Sequence, residues 1–368
     1  MSVRSITVDG YRSIKRLRLS LGRINVIVGP NGSGKSNLYR SMYLLSESVN
    51  GRFTPALAGE GGMPSVLWGG ERGRGPTRLT LGVELDEVSY ELSCGLPQPS
   101  DSAFALDPEI KQENIWFSDE SGRKVYLLQR KGPSATVRDL DGRVVKFPLA
   151  LTTSESLLSQ IREPHLYPEL SAVRHEMNDW RFYHYFATDD AAVARRPALG
   201  ISTPVLSHDG HDLAAALQTI SELGDADAMN EAIDRALPGA ALRIDVDKQC
   251  RMAIRLNMPG MRRELEAREF SDGTLRYLYL LAALSSPRPP SLIALNEPET
   301  SLHPDLIDAL AHLIVQASRH SQLWVVSHSE LLAHRIVELS GNDPIRLEIV
   351  EGVTQVLNRS EFFSRTTR

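Results

Sequence analysis

Gly29-Pro30-Asn31-Gly32-Ser33-Gly34-Lys35-Ser36 is the stretch on which the reading of this chain turns. It satisfies the spacing GxxxxGK[ST]. The spacing works because glycine has no Cβ: backbone N–H groups can close around phosphate oxygens that a side chain would fend off. Upstream, Ile24 to Val28 is a continuous apolar run, as a buried strand should be. Downstream, Leu38, Met42 and Leu45 recur at helical spacing across Asn37 to Ser48. The loop therefore joins a strand to a helix start, whose positive dipole end faces the same anion. This context implies ATP with Mg²⁺. Asn31, Gly32, Ser33, Gly34 and Asn37 line the phosphate cradle, Lys35 reaches the β- and γ-phosphates, and Ser36 binds the metal.

The C-terminal third carries the rest of the chemistry. Ser291-Leu292-Ile293-Ala294-Leu295-Asn296-Glu297-Pro298 is an apolar strand that emerges into a polar pair at its C-terminal end, where open α/β sheets bind ligands. Glu297 is placed to polarise an attacking water. Asn296 stands where a metal-supporting aspartate is usual; its amide accepts from a metal-bound water but adds no negative charge. A second buried strand, Leu323-Trp324-Val325-Val326, ends in Ser327-His328-Ser329. That puts His328 where it can contact the γ-phosphate or hold the water. Upstream, the turn Ser271-Asp272-Gly273 opens the helix Thr274–Leu284 and makes a second anion-binding helix start. One site needs a single cradle, so two per chain suggest that each site is completed by another molecule.

The remaining chain is expected to fill an α/β architecture. Ser2 to Asp9 and then Leu17, Leu19 and Leu21 read as strands joined by a turn at Gly10-Tyr11. Residues 50–76, rich in Gly and Pro, read as loop. Leu79, Leu81, Val83 and Leu85 begin an antiparallel sheet continuing through Val125–Leu128, Thr136–Leu140 and Val144–Phe147. Residues 152–186 are helix-prone and hold Trp180, Phe182, Tyr183, Tyr185 and Phe186. Asp212 to Leu223 and Ala228 to Leu237 form a helical pair, and Leu242–Val246 with Met252–Leu256 a second hairpin. The expected organisation is one composite head. Residues 1–150 form a first lobe with a β-rich part, 151–265 a helical and hairpin insertion, and 266–368 a second lobe with the parallel-sheet core.

Composition, 42% hydrophobic and 24% charged over 368 residues, is that of a globular protein. The net charge of −5 gives no global attraction to a polyanion. Residues 1–40 nevertheless hold eight basic residues, Arg4, Arg12, Lys15, Arg16, Arg18, Arg23, Lys35 and Arg40, against Asp9 alone. Part of that excess serves nucleotide; the remainder is either a DNA-facing surface or a solvated strand face. Cys94 and Cys250 lie far apart without CxxC spacing, and no apolar leader or 18-residue apolar run is present. A cytoplasmic location without membrane association is the expectation. Ser207-His208-Asp209-Gly210-His211-Asp212 is read as a turn with a helix cap, not a metal site, and the aromatics at 180–186 as core. The Gly69–Gly75 loop is read as a solvated loop.

In this order the pieces resemble the ABC-type ATPase heads of the RecF/SMC/OLD-like group, in the branch without coiled-coil arms. Gly29–Ser36 matches Walker A, Ser271-Asp272-Gly273-Thr274-Leu275 the signature motif and Leu292–Glu297 Walker B. Ser301-Leu302-His303-Pro304 matches the D-loop and His328 the switch histidine. The resemblance implies an ABC-type P-loop NTPase head that dimerises head to tail with ATP. Ser271 and Gly273 would then act on the nucleotide of the partner. It also implies a Q-loop glutamine serving metal and water, for which Gln160 is the candidate, and a basic residue after the first strand, Arg12, reaching nucleotide. With Glu297 kept and Asn296 in place of aspartate, slow hydrolysis is expected. No Toprim-type acidic cluster follows, so a built-in nuclease is not expected. Two roles remain open: a switch acting on DNA in repair, recombination or phage defence, or a regulatory dimer controlling a protein partner.

Overall fold

A computed structural model describes residues 1–71, 77–99 and 101–357; Arg72–Gly75 of the glycine–arginine loop therefore lie outside the described residues. The chain divides into two bodies. The first comprises Met1–Gly22, Gly29–Trp180 and the stretch from Arg346, and the second Arg23–Val28 and Arg181–Ile345.

The first body holds strands β1 (Val3–Tyr11), β2 (Ile14–Ser20), β4 (Leu79–Leu85), β5 (Ser89–Gly95), β6 (Glu109–Ser118), β7 (Lys124–Lys131), β8 (Ser134–Arg138) and β9 (Val144–Lys146). They form one antiparallel sheet in the order β2-β1-β4-β5-β6-β7-β8-β9. Alternation decides which face is buried: Val3, Ile6, Val8, Leu81, Val83, Leu92 and Ile115 all point inward. The turn between β1 and β2 falls two residues later than Gly10-Tyr11, because Tyr11 still pairs with Ile14. Gly10 is instead a strand glycine at φ 77, where the Arg78 carbonyl leaves no room for a Cβ. Arg12 takes the turn, in the left-handed region at φ 47.

Residues 50–76 are not all loop. α2 (Phe53–Gly59) and α3 (Met63–Val66) interrupt them, anchored by buried Phe53, Leu57, Met63 and Val66. Pro64 is compatible with α3 because it sits in the first turn, where its missing N–H has no helical partner to lose. The helix α1 (Lys35–Val49) follows the glycine loop, and α4 (Leu157–Gln160) and α5 (Pro168–Asp179) complete this body's helices. A polar pin holds the α4 region. Glu113 accepts from Leu157 N at 2.8 Å, while Arg130, as fully buried as Glu113, donates to the Glu155 and Thr152 carbonyls. The hairpin β17 (Ile345–Val350) and β18 (Val353–Val356), which the sequence reading did not anticipate, ends the described chain.

The second body is built on a parallel sheet of β10 (Arg181–Tyr183), β15 (Leu292–Asn296), β16 (Gln322–Val326) and β3 (Ile24–Val28), in that order. All residues of β3, β15 and β16 are buried, as expected of strands covered on both faces. The aromatic stretch at 180–186, expected to be helical, supplies β10. Phe182 and Tyr183 are buried there and Tyr185 is exposed. Flanking it are α6 (Leu213–Leu223), α7 (Ala226–Ala236), α8 (Asp272–Leu284), α9 (Asp305–Ala317) and α10 (Glu330–Ser340). A smaller antiparallel sheet joins β11 (Ala198–Leu199), β13 (Arg251–Asn257) and β12 (Ala241–Val246), with β14 (Leu265–Glu266) paired to β13. The α/β class expected from sequence, an antiparallel lobe with a parallel core, is the class found. Among the described residues no helix is long and apolar enough to cross a membrane.

Candidate functional site

In the first body the glycine loop leads straight into α1. Gly34 stands at the N-cap in the left-handed region at φ 98, offers no capping side chain, and no acidic residue follows in the first turn. The first N–H groups of α1 therefore have neither an intrahelical partner nor a local carboxylate, which is the electrostatic setting an anion needs. Gly32 and Gly34 both require positive φ. The Lys35 side chain curls back so that Nζ donates to the carbonyls of Gly29 at 2.5 Å and Pro30 at 3.1 Å. Ser36 and Asn31 are exposed, and Ser33 is buried.

Around that helix start runs a chain of polar contacts. Arg12 Nη1 donates to Asn37 Oδ1 at 3.5 Å, Asn37 Nδ2 to Ser13 Oγ at 2.8 Å, and Ser13 Oγ lies 2.8 Å from Thr354 Oγ1. Thr354 abuts the position a Cβ of Gly34 would take. Arg12 also pairs with Glu60 at 2.9 Å, and the Tyr11 hydroxyl donates to the same carboxylate. Burial, reinforced by the Glu60 charge, pushes the Tyr11 phenol well above its usual range. Gln160 lies apart from these contacts. Its Oε1 accepts from Thr152 N at 3.1 Å, and Nε2 donates to the Glu155 and Ser156 carbonyls, both at 3.2 Å. Both ends of the amide are committed to backbone groups, of Thr152 upstream and of Glu155 and Ser156 at the start of α4.

The second body brings together Glu297, His328 and a residue the sequence reading did not single out, Glu299. β15 ends at Asn296, which is buried and whose Oδ1 has no hydrogen-bond partner among the described residues. Glu297 follows at φ 47, a backbone state uncommon outside glycine and characteristic of functional turns. Its N–H donates to the Val326 carbonyl at 2.7 Å, and its carbonyl accepts from Arg276 Nη2 at 3.2 Å. Arg276 comes from the first turns of α8, so that helix grips the turn after β15 directly. Burial lowers the Arg276 pKa, opposed by the Glu299 and Glu297 charges. The side chains of Glu297 and His328 are partly exposed, with His328 Nδ1 3.8 Å from Glu297 Oε2 and 3.2 Å from Glu299 Oε1.

The Ser271–Gly273 turn, matched to the signature motif from sequence, is held by hydrogen bonds on its own residues and on those just before it. Ser271 Oγ caps α8 by accepting from Thr274 N at 3.1 Å. The buried guanidinium of Arg195 donates to the carbonyls of Thr188, Ala267 and Phe270 and to Asp272 Oδ1. A Cβ on Gly273 would meet the Ser301 carbonyl of the D-loop at 2.9 Å, so the turn and the D-loop pack backbone to backbone. Ser271 and Asp272 remain exposed. The Ser207–Asp212 stretch is the expected turn, but not a side-chain cap: Ser207 N and Oγ both donate to Asp212 Oδ1, and Asp212 stands at the N-cap of α6 without bonding the helix's own N–H groups. Among the described residues no cluster of His, Cys, Asp and Glu is arranged to hold a metal by itself.

Known proteins share this anatomy. The family described as "AAA domain, putative AbiEii toxin, Type IV TA system" matches residues 24–333. The chain belongs to that family. This AAA-domain chain is also 40% identical over 47 residues to "DNA replication and repair protein RecF" of Clostridioides difficile (strain 630), a stretch spanning 12% of this chain and 13% of that protein. Among solved structures it is similar to an Smc head bound to the C-winged helix domain of ScpA. The TM-score is 0.55 at 15% identity, covering 98% of this chain and 100% of that one. An Smc head from Pyrococcus furiosus with an extended coiled coil, bound to the C-terminal domain of ScpA, gives 0.53 at 14% identity, covering 100% and 98%. At these identities the likeness establishes the fold, that of an SMC-type ATPase head. The AAA-domain chain is thus an ATP-binding ATPase-family protein with the RecF/SMC-like head its motifs implied.

Sequence reasoning missed Glu299, Arg195, Arg276, Glu60 and Thr354. Glu299 alone left a trace, as an acidic residue two positions beyond Glu297 and just before the D-loop.

Proposed function

We propose that this chain binds ATP with Mg²⁺, hydrolyses it slowly, and uses nucleotide-dependent homodimerisation as a switch. The observation that carries this reading is the exposed, rigidly pinned Ser271–Gly273 turn, which supports presentation of a helix start to a second copy of the chain. The residues fit the nucleotide: the uncapped, acid-free start of α1 suits a polyphosphate, and the buried, unpartnered Asn296 Oδ1 suits a metal-bound water. Bound Mg²⁺–ATP supplies the phosphoanhydride that is cleaved. Lys35, now on the Gly29 and Pro30 carbonyls, would turn to phosphate oxygens, and Ser36 would offer its exposed hydroxyl to the metal. Glu297 takes the proton of the attacking water. The neutral amide at Asn296 leaves one negative charge fewer around the metal, which is the physical reason to expect slow turnover.

Lys35→Ala should abolish nucleotide binding, and Glu297→Gln should accumulate an ATP-bound dimer visible by sizing chromatography. A Glu297→Gln protein that stays monomeric in saturating ATP and Mg²⁺ would disprove the switch.

Two outputs of the switch are distinguished by one observation. Action on DNA, in repair, recombination or phage defence, draws support from the likeness to RecF. Control of a protein partner draws support from the N-terminal arginines, which are spoken for: Arg4 pairs with Asp86, Arg16 with Asp9 and Arg18 with Glu84. DNA binding that needs ATP and falls steeply with salt would favour the first output, and its absence the second.

A further inference from the structure

Glu299 is the most heavily used carboxylate of the second body. Its side chain is only 4% exposed. Oε1 accepts from Ser327 Oγ at 2.7 Å, His328 N at 2.9 Å and Ser329 N at 3.1 Å, and lies 3.2 Å from His328 Nδ1. Oε2, equally buried, has no hydrogen-bond partner among the described residues. A buried carboxylate is costly unless its hydrogen bonds compensate. Here they converge from a single turn, the one that carries His328 beyond β16. The same turn is tied to β3 by the Ser327 N–H on the Ile27 carbonyl at 3.0 Å.

We propose that Glu299 is a positioning residue for ATP hydrolysis, fixing the Ser327–Ser329 turn and selecting the Nδ1–H form of the His328 ring. A carboxylate facing Nδ1 requires a proton there, because an unprotonated ring nitrogen would set lone pair against lone pair. In the neutral ring the other nitrogen, Nε2, is then an acceptor. An acceptor can hold a water by one of its hydrogens but cannot donate to a phosphate oxygen. In the neutral ring, therefore, orienting the attacking water is the role left to Nε2, whereas a doubly protonated ring would donate there instead. Glu297, 3.8 Å from the same nitrogen, remains partly exposed and free to take the water's proton. The catalytic consequence rests on the ATPase reading above; the selection of the ring form does not.

The test uses full-length protein labelled with ¹⁵N-histidine, His328→Ala identifying the signals of His328. Without nucleotide and at mildly alkaline pH, the two-bond ¹H–¹⁵N spectrum of the unmodified protein should show the Nδ1–H tautomer at His328. In Glu299→Ala it should revert to the Nε2–H tautomer that free imidazoles favour. An Nε2–H ring in the unmodified protein, or the same pattern in both proteins, overturns the proposal. The first of these readings needs no variant and so survives a misfolded Glu299→Ala. In turnover assays Glu299→Ala should lower kcat about 10- to 100-fold, as loss of a residue that orients an active histidine typically does. KM should change little. The same substitution in a His328→Ala background should add nothing further, since it acts through His328. Full additivity overturns the proposal. Should the unmodified protein not hydrolyse ATP at all, the ATPase reading fails, and the spectrum alone decides what Glu299 does to His328.

Discussion

Arg195 Nη2 donates to Asp272 Oδ1 at 2.8 Å, and the same guanidinium donates to the carbonyls of Thr188 and of Ala267 and Phe270, which lie just before the Ser271–Gly273 turn. Arg195 is buried and Asp272 is exposed, so the two substitutions should differ sharply. Arg195→Ala leaves several carbonyls without donors and should cost about 1–3 kcal/mol for each that stays buried, read in urea unfolding. Asp272→Asn, at a solvated position, should cost less than about 1 kcal/mol. Equal losses would show that the arginine does not hold the turn.

Gly273 offers a narrower test. A methyl group there meets the Ser301 carbonyl at 2.9 Å, and Ser301 is itself held at φ 65. Gly273→Ala must push the D-loop aside, an overpacking cost of about 1–3 kcal/mol by thermal unfolding. Nucleotide affinity of the isolated chain, which depends on the glycine loop of the other body, should be unchanged when measured by calorimetric titration.

The first body has its own buried pair, Glu113 and Arg130, 3.4 Å apart and both fully inaccessible. Removing the carboxylate alone by Glu113→Ala strands the guanidinium and should cost about 3–5 kcal/mol. Replacing both with apolar residues of similar volume should recover part of that loss, which a set of denaturation curves on the three variants would reveal. Since Tyr90 and Ser156 also bond Glu113, recovery should be incomplete.

The two thiols should differ in reactivity. Cys250 is exposed, whereas burial pushes the Cys94 thiol up to about 12. The raised value keeps Cys94 protonated, and so unreactive, across the neutral and mildly alkaline range; only as pH approaches 12 would a thiolate form in the folded protein. A thiol-reactive dye at mildly alkaline pH should therefore count one cysteine in the native protein and two after unfolding.

What sequence could disclose followed the range of the interactions involved. The phosphate loop, the Asn296-Glu297 strand end and His328 announce themselves because their spacing along the chain is the signal. β10 was obscured because aromatic residues suit a strand as well as a helix, and pairing with β15 decides the matter. The helices α2 and α3 hid among glycines and prolines whose turn propensity is overridden by the burial of Phe53, Leu57 and Met63. Arg195 and Thr354 were invisible, and Glu299 left only a faint trace, for a different reason. Each acts on residues 28 to 341 positions away, and no local pattern records a partner that tertiary folding alone brings near.

The paired arginines of β1 and β2 change what an approaching molecule feels. Each cation with its adjacent acid is a small dipole, and a dipole's field dies away faster with distance than that of a lone charge. Beyond a Debye length of about 8 Å in physiological salt, these three pairs therefore add little to the field of the edge. A molecule that came near this face would then meet its shape before its charge.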